Sequence, residues 1–503
     1  MLKPVVHISK LNLSYQRKLI FEDLEWTIRK GENWLLSGES GSGKTSLAKV
    51  VAGLEQAIGD VTLNFDTTST LPANALYVES WYQFKNLEGV ANFYYQQRYT
   101  SQQAKETFTV KTDLLLFGKE NNIHFDNAEP ILKALNFSSF ADSQLIELSS
   151  GERKKLQLIK ALWLKPQLLI IDQPYTGLDA ASRQNLNILL DRAAMDGVTL
   201  ILISNGNELP ACITHFAQLK KGKLVESLSQ DLTLAVTAKE VKEIPGFLQI
   251  SPVYSSMQIV KMVDVNISYG EKKVLENINW EVKAGEKWLL NGQNGSGKST
   301  LLSLINGDHP QSYANELYLF GNRRGSGESI WDIKQHIGLI SPEFHWYFDA
   351  TATVWQTIAS GIYDTVGLFR ELPYTKSVQV DSLVEYFGFT ENKNTLLTSL
   401  PLGKQRLVLL ARTIIKNPEL LILDEPCQGL DRQQTENFNH FLDELCTNGM
   451  TLIYVGHFDS ALPSCLEKKL TLENGRVKAF EEMIDRQQGI EILEENNLSA
   501  IWQ

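Results

Sequence analysis

The amino-acid sequence contains a long internal repeat, and this duplication restricts the possible folds more than any other feature. The segment WTIRKGENW at Trp26–Trp34 returns as WEVKAGEKW at Trp280–Trp288, 254 residues later. Further pairs at the same or nearly the same offset are Tyr15 and Tyr269, Lys44 and Lys298, Gly151 and Gly403, and Asp172 and Asp424. A repeat of this length indicates two copies of one large domain and excludes a solenoid of small units.

The repeat predicts the domain organisation. We expect a first domain over residues 1–226, a connector over residues 227–257, a second domain over residues 258–482 and a C-terminal tail over residues 483–503. The connector has two prolines, scattered serines and few charges, and it is compatible with one short helix.

Short apolar strands between helical segments predict the fold class. Each half opens with an alternating pattern that is typical of a strand, VVHISKLNLSY in the first and MQIVKMVDVNISY in the second. Continuous apolar runs follow much later, LLIID at Leu168–Asp172 and LLILD at Leu420–Asp424. Strands that are apolar on both faces are typical of a buried, mostly parallel sheet. The sequence therefore predicts two α/β domains.

A glycine-rich phosphate-binding motif follows a strand in each half. Gly38–Thr45 (GESGSGKT) and Gly292–Ser299 (GQNGSGKS) both fit GxxxxGK[ST]. Glycines allow backbone N–H groups to converge on phosphate oxygens at the positive end of a helix, and the lysine reaches the outer phosphates. The residues predicted to bind phosphate are Gly38, Gly41, Gly43, Lys44, Thr45, Gly292, Gly295, Gly297, Lys298 and Ser299.

A magnesium ion is expected beside each motif. Asp172 and Asp424 end the apolar strands, and a carboxylate there can hold Mg²⁺ opposite the hydroxyl of Thr45 or Ser299. One strand-end aspartate alone is weak evidence, because many such residues cap loops. Its recurrence beside a glycine-rich loop in both halves strengthens the prediction.

Together these motifs resemble those of the ATP-binding cassette ATPases, with two cassettes in tandem. The family's signature segment appears at Leu148–Glu152 (LSSGE), and its D-loops at Gly177–Asp179 and Gly429–Asp431. The resemblance implies two P-loop NTPase cassettes, each with a mostly parallel sheet core, a strand-rich subdomain and a helical signature subdomain. It also implies that Tyr15 and Tyr269 stack on adenine. Packing remains the alternative for both tyrosines, and the repeated tryptophans are expected in the core of the strand-rich subdomain.

The resemblance further implies two composite sites, each formed by the phosphate loop of one cassette and the signature of the other. In the second site, Ser149, Ser150 and Gly151 would face the second-half loop, where Glu425 would activate water and His457 would sense the γ-phosphate. The first site departs from the family pattern at three positions, which are occupied by Gln173, Asn205 and Pro401. We therefore expect one hydrolytic site and one site that mainly binds ATP. The alternative is that random sequence drift produced these three departures and that they fall in one site by chance.

Composition and charge restrict the class of partner. The net charge is −11 with 48 basic and 59 acidic side chains, so a nucleic-acid partner is not expected. No apolar run approaches the length of a membrane span, and the first residues do not resemble a signal peptide. The four cysteines form no CxxC pair. We expect a cytoplasmic protein, with the inner face of the cell membrane as an alternative location.

Within the family, the likeness extends to the tandem ATP-binding proteins of molybdenum-transport operons, on the segments Gly307–Tyr313 and Leu319–Gly338. It implies a cytoplasmic ATPase that docks on a separate membrane permease. Ser80 and Pro342 occupy the expected Q-loop glutamine positions, with Gln83 and Glu343 nearby, and this argues against conventional coupling. The alternatives are a ribosome- or nucleic-acid-associated factor and a nucleotide-gated switch with little turnover.

Two arginines leave a further question open. Arg323 and Arg324 lie beside the turn Gly325–Gly327 and could contact a partner. A solvated hairpin is the favoured interpretation of this segment.

Overall fold

The chain forms two compact units in the computed structural model, which describes residues 4–15, 18–69, 72, 74–80, 108–204, 208–227, 243–269, 272–341, 348–349, 351–428, 430–456 and 462–483. The described residues up to Ser227 form the first unit, and those from Glu243 onward form the second. Each unit is described by itself.

The first unit alternates strands and helices along the chain. Its elements are β1 (Pro4–Tyr15), β2 (Lys18–Arg29), β3 (Trp34–Ser37), α1 (Lys44–Val51), β4 (Ile58–Leu63), β5 (Ala75–Val78), α2 (Val110–Glu120), α3 (Glu129–Ala134), α4 (Ser150–Leu164), β6 (Leu168–Asp172), α5 (Ala180–Met195), β7 (Thr199–Ile203), β8 (His215–Lys220) and β9 (Lys223–Ser227). Short 3-10 turns occupy Phe125–Asn127, Ser138–Phe140 and Leu145–Glu147.

The second unit repeats this order. Its elements are β10 (Gln258–Tyr269), β11 (Lys272–Lys283), β12 (Lys287–Gly292), α6 (Lys298–Ile305), β13 (Glu316–Leu319), β14 (Asn322–Arg323), α7 (Ile330–Lys334), β15 (Ile337–Ile340), α8 (Val354–Ser360), α9 (Tyr374–Tyr386), α10 (Leu402–Ile414), β16 (Leu420–Asp424), α11 (Arg432–Thr447), β17 (Thr451–Val455), β18 (Lys468–Glu473) and β19 (Arg476–Glu482). Short 3-10 turns occupy Gly246–Leu248, Pro310–Ala314, Thr390–Asn392 and Leu397–Ser399.

A six-stranded sheet forms the centre of each unit. The strand order is β5-β6-β7-β3-β8-β9 in the first unit and β15-β16-β17-β12-β18-β19 in the second, parallel except for the final hairpin. All five residues of β6 are buried, as expected for a strand covered on both faces. Because β3 and β6 both pair with β7, the phosphate loop after β3 and the aspartate that ends β6 reach the same edge of the sheet.

A smaller antiparallel sheet packs beside each central sheet, in the order β2-β1-β4 or β11-β10-β13-β14. The repeated tryptophans fill its core. Trp26 and Trp34 make an edge-to-face contact with ring centroids 5.6 Å apart, and Trp280 and Trp288 repeat it at the same distance. All four side chains are buried. With helices α2–α4 and α8–α10 forming the third part of each unit, the predicted α/β fold of two cassettes is confirmed.

The described part of the connector packs on the second unit. Ile244 and Leu248 enter that unit's apolar core. The Tyr254 hydroxyl donates to the carbonyl of Gly449 and accepts from the Thr451 hydroxyl at 2.9 Å. Residues 243–257 thus form a strap along the second unit. Among the described helices, none has the length and apolar character that a membrane span requires.

Candidate functional site

The phosphate loops have backbone conformations that require glycine. Gly38, Gly41 and Gly43 all have positive φ, and Gly43, directly before α1, has φ 101°. A Cβ atom on Gly43 would lie 2.8 Å from the Phe21 ring, so both the conformation and the space exclude a side chain. Gly297 has the same φ in the second loop. Each loop therefore presents backbone N–H groups at a helix N-terminus, the geometry that binds phosphate.

Each loop lysine is anchored above its own loop. Lys44 Nζ donates to the carbonyls of Gly38 and Glu39, each at 2.7 Å. Lys298 Nζ donates to the matched carbonyls of Gly292 and Gln293 at 2.6 and 2.9 Å. The two cassettes thus hold the ammonium group in the same position relative to the loop backbone.

The hydroxyl and carboxylate predicted to hold Mg²⁺ converge. Thr45 Oγ1 donates to Asp172 Oδ2 at 2.7 Å in the first unit. In the second unit, Ser299 and Asp424 line one small cavity together with Ser341 and Leu339. Hard oxygen donors of this kind are the ligands that Mg²⁺ prefers, so the residues present fit the ion.

Two residues that the sequence analysis did not single out support Asp172. The Tyr77 hydroxyl donates to Asp172 Oδ2 at 3.1 Å, and burial raises the pKa of that hydroxyl. Lys154 Nζ donates to the main-chain carbonyls of Glu79 and Asp172 at 2.7 and 3.0 Å. Burial lowers the pKa of Lys154 to about 7, and the charges of Asp172 and Glu79 oppose that shift.

The two cassettes present different side chains from the same backbone position after the strand-end aspartate. Gln173 has φ 50° and Glu425 has φ 46°, both in the left-handed region. The Gln173 N–H donates to Ile203 at 2.9 Å, and the Glu425 N–H donates to the matched Val455 at 3.0 Å. The fold therefore places an amide in one cassette where it places a carboxylate in the other.

Gln428 contacts the carboxylate of Glu425, and Arg406 in turn contacts Gln428. Gln428 Nε2 donates to Glu425 Oε2 at 3.1 Å, and Arg406 Nη2 donates to Gln428 Oε1 at 3.0 Å. Sequence reasoning missed Gln428 and Arg406. Comparison of the two halves could have found them. The equivalent first-cassette residues, Thr176 and Lys154, differ in chemistry from Gln428 and Arg406, as Gln173 differs from Glu425.

The signature helices begin differently in the two units. Ser149 caps α4 in a capping box, in which its hydroxyl accepts from the Glu152 N–H at 3.4 Å and its own N–H donates to the Glu152 carboxylate at 2.8 Å. Ser150 and Gly151 form the first turn of α4. Pro401 occupies the matched position before α10 and provides no side-chain cap. The first unit therefore offers a hydroxyl and backbone N–H groups at a helix N-terminus, and the second lacks the hydroxyl.

The predicted adenine-stacking tyrosines are held by matched residues of different chemistry. The Tyr15 hydroxyl donates to the Glu55 carboxylate and lies 3.1 Å from the Ser46 hydroxyl. The Tyr269 hydroxyl lies 2.7 Å from His309 Nε2. Tyr15 is 41% exposed, so part of this residue is accessible to a ligand.

The D-loop aspartates cap the helices that follow them. Asp179 accepts from the Ser182 N–H and Asp431 from the Gln434 N–H, both at 2.8 Å. Several sequence predictions lie outside the described residues, namely those for His457, Asn205, Gln83, Pro342, Glu343 and Gly429.

The interpretation of the two arginines divides between them. Arg323 is exposed, as expected for a solvated hairpin. Arg324 is buried, where its guanidinium pairs with Glu328 at 2.5 Å and lies 4.7 Å from the centre of the Tyr313 ring. The solvated-hairpin interpretation was wrong for Arg324, because an acidic partner and an aromatic face lie within its reach.

Comparisons with known proteins agree with this geometry. The family model for "ABC transporter" matches residues 21–176 and 275–428. An ABC transporter ATP-binding protein of Escherichia coli, ModF, is 33% identical over 88% of this chain and 92% of its own length. An uncharacterized ABC transporter ATP-binding protein of Schizosaccharomyces pombe is 29% identical over 91% of this chain and 96% of its own length.

Solved structures include single cassettes that resemble part of the chain. The cbiO1 protein of Clostridium perfringens, part of the ABC transporter complex cbiONQ, is 25% identical with a TM-score of 0.41, and covers 48% of this chain and 96% of its own. An ATP-binding cassette of an ABC transporter in its ADP conformation is 20% identical with a TM-score of 0.39, and covers 45% of this chain and 92% of its own.

Proposed function

The chain belongs to the ABC transporter family and is an ATPase with two tandem cassettes, and on that premise we propose that it hydrolyses ATP mainly at the second-half phosphate loop. One observation supports this asymmetry. Gln173 and Glu425 have the same backbone conformation, but one side chain is an amide and the other is a carboxylate. A carboxylate can accept a proton from water, whereas a carboxamide cannot.

The second-half site has the fuller set of reacting groups. Glu425 is proposed to activate water as the general base, and His457 to sense the γ-phosphate. Lys298 neutralises phosphate charge from its position above the loop. Ser299 and Asp424 would hold Mg²⁺. When bound, that ion neutralises charge on the β- and γ-phosphates.

The first-half site is proposed to bind ATP with little turnover. Lys44, Thr45 and Asp172 form a cradle of the same kind as in the second half. Gln173 supplies no general base, and a positioned base is worth about 10²–10⁴ in rate. Tyr15 and Tyr269 are proposed to stack on the adenine rings at the first and second sites.

Each ATP is proposed to be completed by the signature of the other cassette. Ser149, Ser150 and Gly151 would then face the second-half loop, and Pro401 would face the first. A hydroxyl and free backbone donors at a helix N-terminus stabilise phosphate charge, which proline at the same position does less well. This pairing brings the serine signature to the site with Glu425.

Steady-state phosphate release from two matched variants tests the asymmetry. We expect Glu425→Gln to lower turnover by about 10²-fold or more, and Gln173→Ala to change it by less than about twofold. Equal losses in the two variants would refute the proposal. Wild-type protein that binds ATP without measurable turnover would instead favour a nucleotide-gated switch.

For the biological role, we propose an ATP-binding component of a molybdate-type transport system that docks on a separate membrane permease. The likeness to ModF over most of both chains supports this role. A Glu425→Gln variant held in ATP should retain its partner during purification. Recovery of a membrane permease supports the proposal, and recovery of ribosomes or nucleic acid in its place would refute it.

A further inference from the structure

A short chain of side chains holds Glu425 from within its own cassette. Gln428 lies between Glu425 and Arg406, with contacts of 3.1 Å to the carboxylate and 3.0 Å to the guanidinium. Arg406 Nη1 also lies 3.5 Å from the Glu425 carbonyl oxygen, at the long end of the hydrogen-bond range. The guanidinium therefore contacts the main chain of Glu425 and, through Gln428, its side chain.

Chemistry decides the orientation of the Gln428 amide. Its oxygen faces the guanidinium, which only donates, and its nitrogen faces the carboxylate, which only accepts. The reverse orientation would oppose two donors at one end and two acceptors at the other. Gln428 consequently contacts the carboxylate with an N–H donor.

Rigid elements hold the chain at both ends. Arg406 is 4% exposed and lies in the second turn of α10. Glu425 directly follows β16, and the Gln428 N–H donates to the Glu425 carbonyl at 3.2 Å, which closes a tight turn. A planar guanidinium fixed in this way loses little further entropy when it orients an amide.

The part of the first cassette that the structure describes contains no such chain. Thr176 has the same turn, with its N–H 3.3 Å from the Gln173 carbonyl, but its side chain has no amide. Lys154, at the position of Arg406, donates instead to the carbonyls of Glu79 and Asp172. The contacts from Arg406 through Gln428 thus occur in the cassette that has the Glu425 carboxylate. Among the described residues, they are missing from the cassette that has Gln173 at this position.

We infer that Gln428 is a positioning residue for ATP hydrolysis, which fixes the orientation of the Glu425 carboxylate through one of its oxygens and is itself held by Arg406. This inference rests on the proposed role of Glu425 as the general base. A base held in one orientation meets its water without first losing rotational freedom. The effect should appear in kcat and leave ATP binding unchanged.

Two substitutions at residue 428 separate positioning from simple loop support. Gln428→Met removes both contacts while retaining the length of the side chain. Gln428→Glu keeps an acceptor for Arg406, loses the donor to Glu425 and places a second carboxylate beside it, so the acid limb of the kcat–pH profile should also move to higher pH. We expect each variant to lower kcat about tenfold, the size of a hydrogen bond to a charged group, with KM for ATP within about twofold of the wild-type value. If residue 428 only tied its loop to Arg406, Gln428→Glu would have wild-type kcat, which would overturn the inference.

Matched controls come from the repeat. Thr176→Ala alters the equivalent position of the first cassette, and kcat should stay within about twofold of wild type. Gln428→Thr introduces the residue that this fold already accommodates at position 176, and it guards against misfolding. Gln428→Thr should lower kcat in the same way as Gln428→Met, with wild-type ATP affinity in a fluorescent-nucleotide titration.

A double variant completes the test. Gln428→Met added to Glu425→Gln should produce no further loss of residual turnover, because the group that it positions is already gone. A further tenfold loss would overturn the inference. If Glu425→Gln has wild-type turnover, the proposed function fails. If Glu425→Gln is inactive while every variant at residue 428 has wild-type kcat, the positioning inference alone fails.

Discussion

The buried ammonium of Lys154 should make the stability of the first cassette depend on pH. Lys154 is 2% exposed, and among the described residues the contacts that fix its ammonium are main-chain carbonyls, those of Glu79 and Asp172. Burial lowers the pKa of this group from 10.5 to about 7, although the charges of Asp172 and Glu79 favour the protonated form. We predict that Lys154→Met removes a pH-dependent part of the free energy of unfolding.

The sign and the size follow from the pKa shift of Lys154. Between pH 7 and pH 10.5 the unfolded chain holds the proton and the folded chain does not, so the free energy of unfolding rises with pH. The limiting slope is about 1.4 kcal/mol per pH unit. Because the folded lysine is half protonated near pH 7, the wild-type protein should gain about 2 kcal/mol over the variant between pH 7 and pH 9. Well below pH 7 the lysine is charged in both states, and its slope disappears.

Cys212 provides a reporter that belongs to the first cassette alone. The other three cysteines of the chain lie in the second half. Burial, helped by a hydrogen bond to Asp191, raises the pKa of the Cys212 thiol to about 12, so the folded protein reacts slowly with alkylating reagents. Pulsed alkylation across a urea series, read out by peptide mass spectrometry, therefore yields the unfolding transition of the first cassette at each pH.

Lys154→Arg is the matched control for this experiment. Arg406 occupies the equivalent buried position of the second cassette, so the fold accommodates a guanidinium there. Arginine does not titrate in this range, and this variant should also lack the slope. The measurements are made in EDTA without nucleotide, so that no cation binds near Asp172. Unfolding curves for wild type and both variants that shift in parallel between pH 7 and pH 9 would refute the reasoning.

Three further substitutions test the second unit. Glu328→Ala leaves the buried Arg324 guanidinium without its carboxylate and should lower the free energy of unfolding by about 3 kcal/mol, measured by alkylation across a urea series. Arg323→Ala, at an exposed position, should lower it by less than about 0.5 kcal/mol. Similar losses in the two variants would contradict this prediction. Tyr254→Phe removes the hydroxyl that ties residues 243–257 to Thr451 and should speed limited proteolysis of that strap, with about 1 kcal/mol less protection; an unchanged cleavage rate would contradict it.

Local patterns were sufficient to predict the fold and the phosphate loops. Continuous apolar strands and glycines at fixed spacing are properties of consecutive residues, and each depends on backbone geometry that the nearby sequence dictates. The long repeat then shows that both halves carry the same patterns. The convergence of Thr45 with Asp172 agrees with the same pattern, because the parallel strands β3 and β6 both pair with β7 and end at one edge of the sheet.

Side-chain partners that depend on tertiary packing could not be predicted in this way. The hydrogen bond of Tyr77 to Asp172 joins β5 to β6, strands that are far apart in the chain, and a tyrosine in an apolar strand gives no sign of it. The burial of Arg324 depends on where Glu328 and Tyr313 come to lie. Charge in a glycine-rich hairpin is usually solvated, and only the packed structure reveals the exception.

The repeat allows each residue of one cassette to be compared with its equivalent in the other. This comparison indicates that the asymmetry between the cassettes lies in a set of side chains that contact one another. Residues 173 and 425 have the same left-handed backbone conformation, and their N–H groups donate to equivalent strand carbonyls, so the backbone fold does not distinguish them. What differs is Glu425 with Gln428 and Arg406 on one side, and Gln173 with Thr176 and Lys154 on the other. Because the proposed base and its positioning residue change together, Gln173→Glu alone would supply a carboxylate that no amide holds. Such a carboxylate would be able to accept a proton but would lack the fixed orientation on which its rate advantage depends. We therefore attribute the proposed single-site turnover to the whole set of contacts.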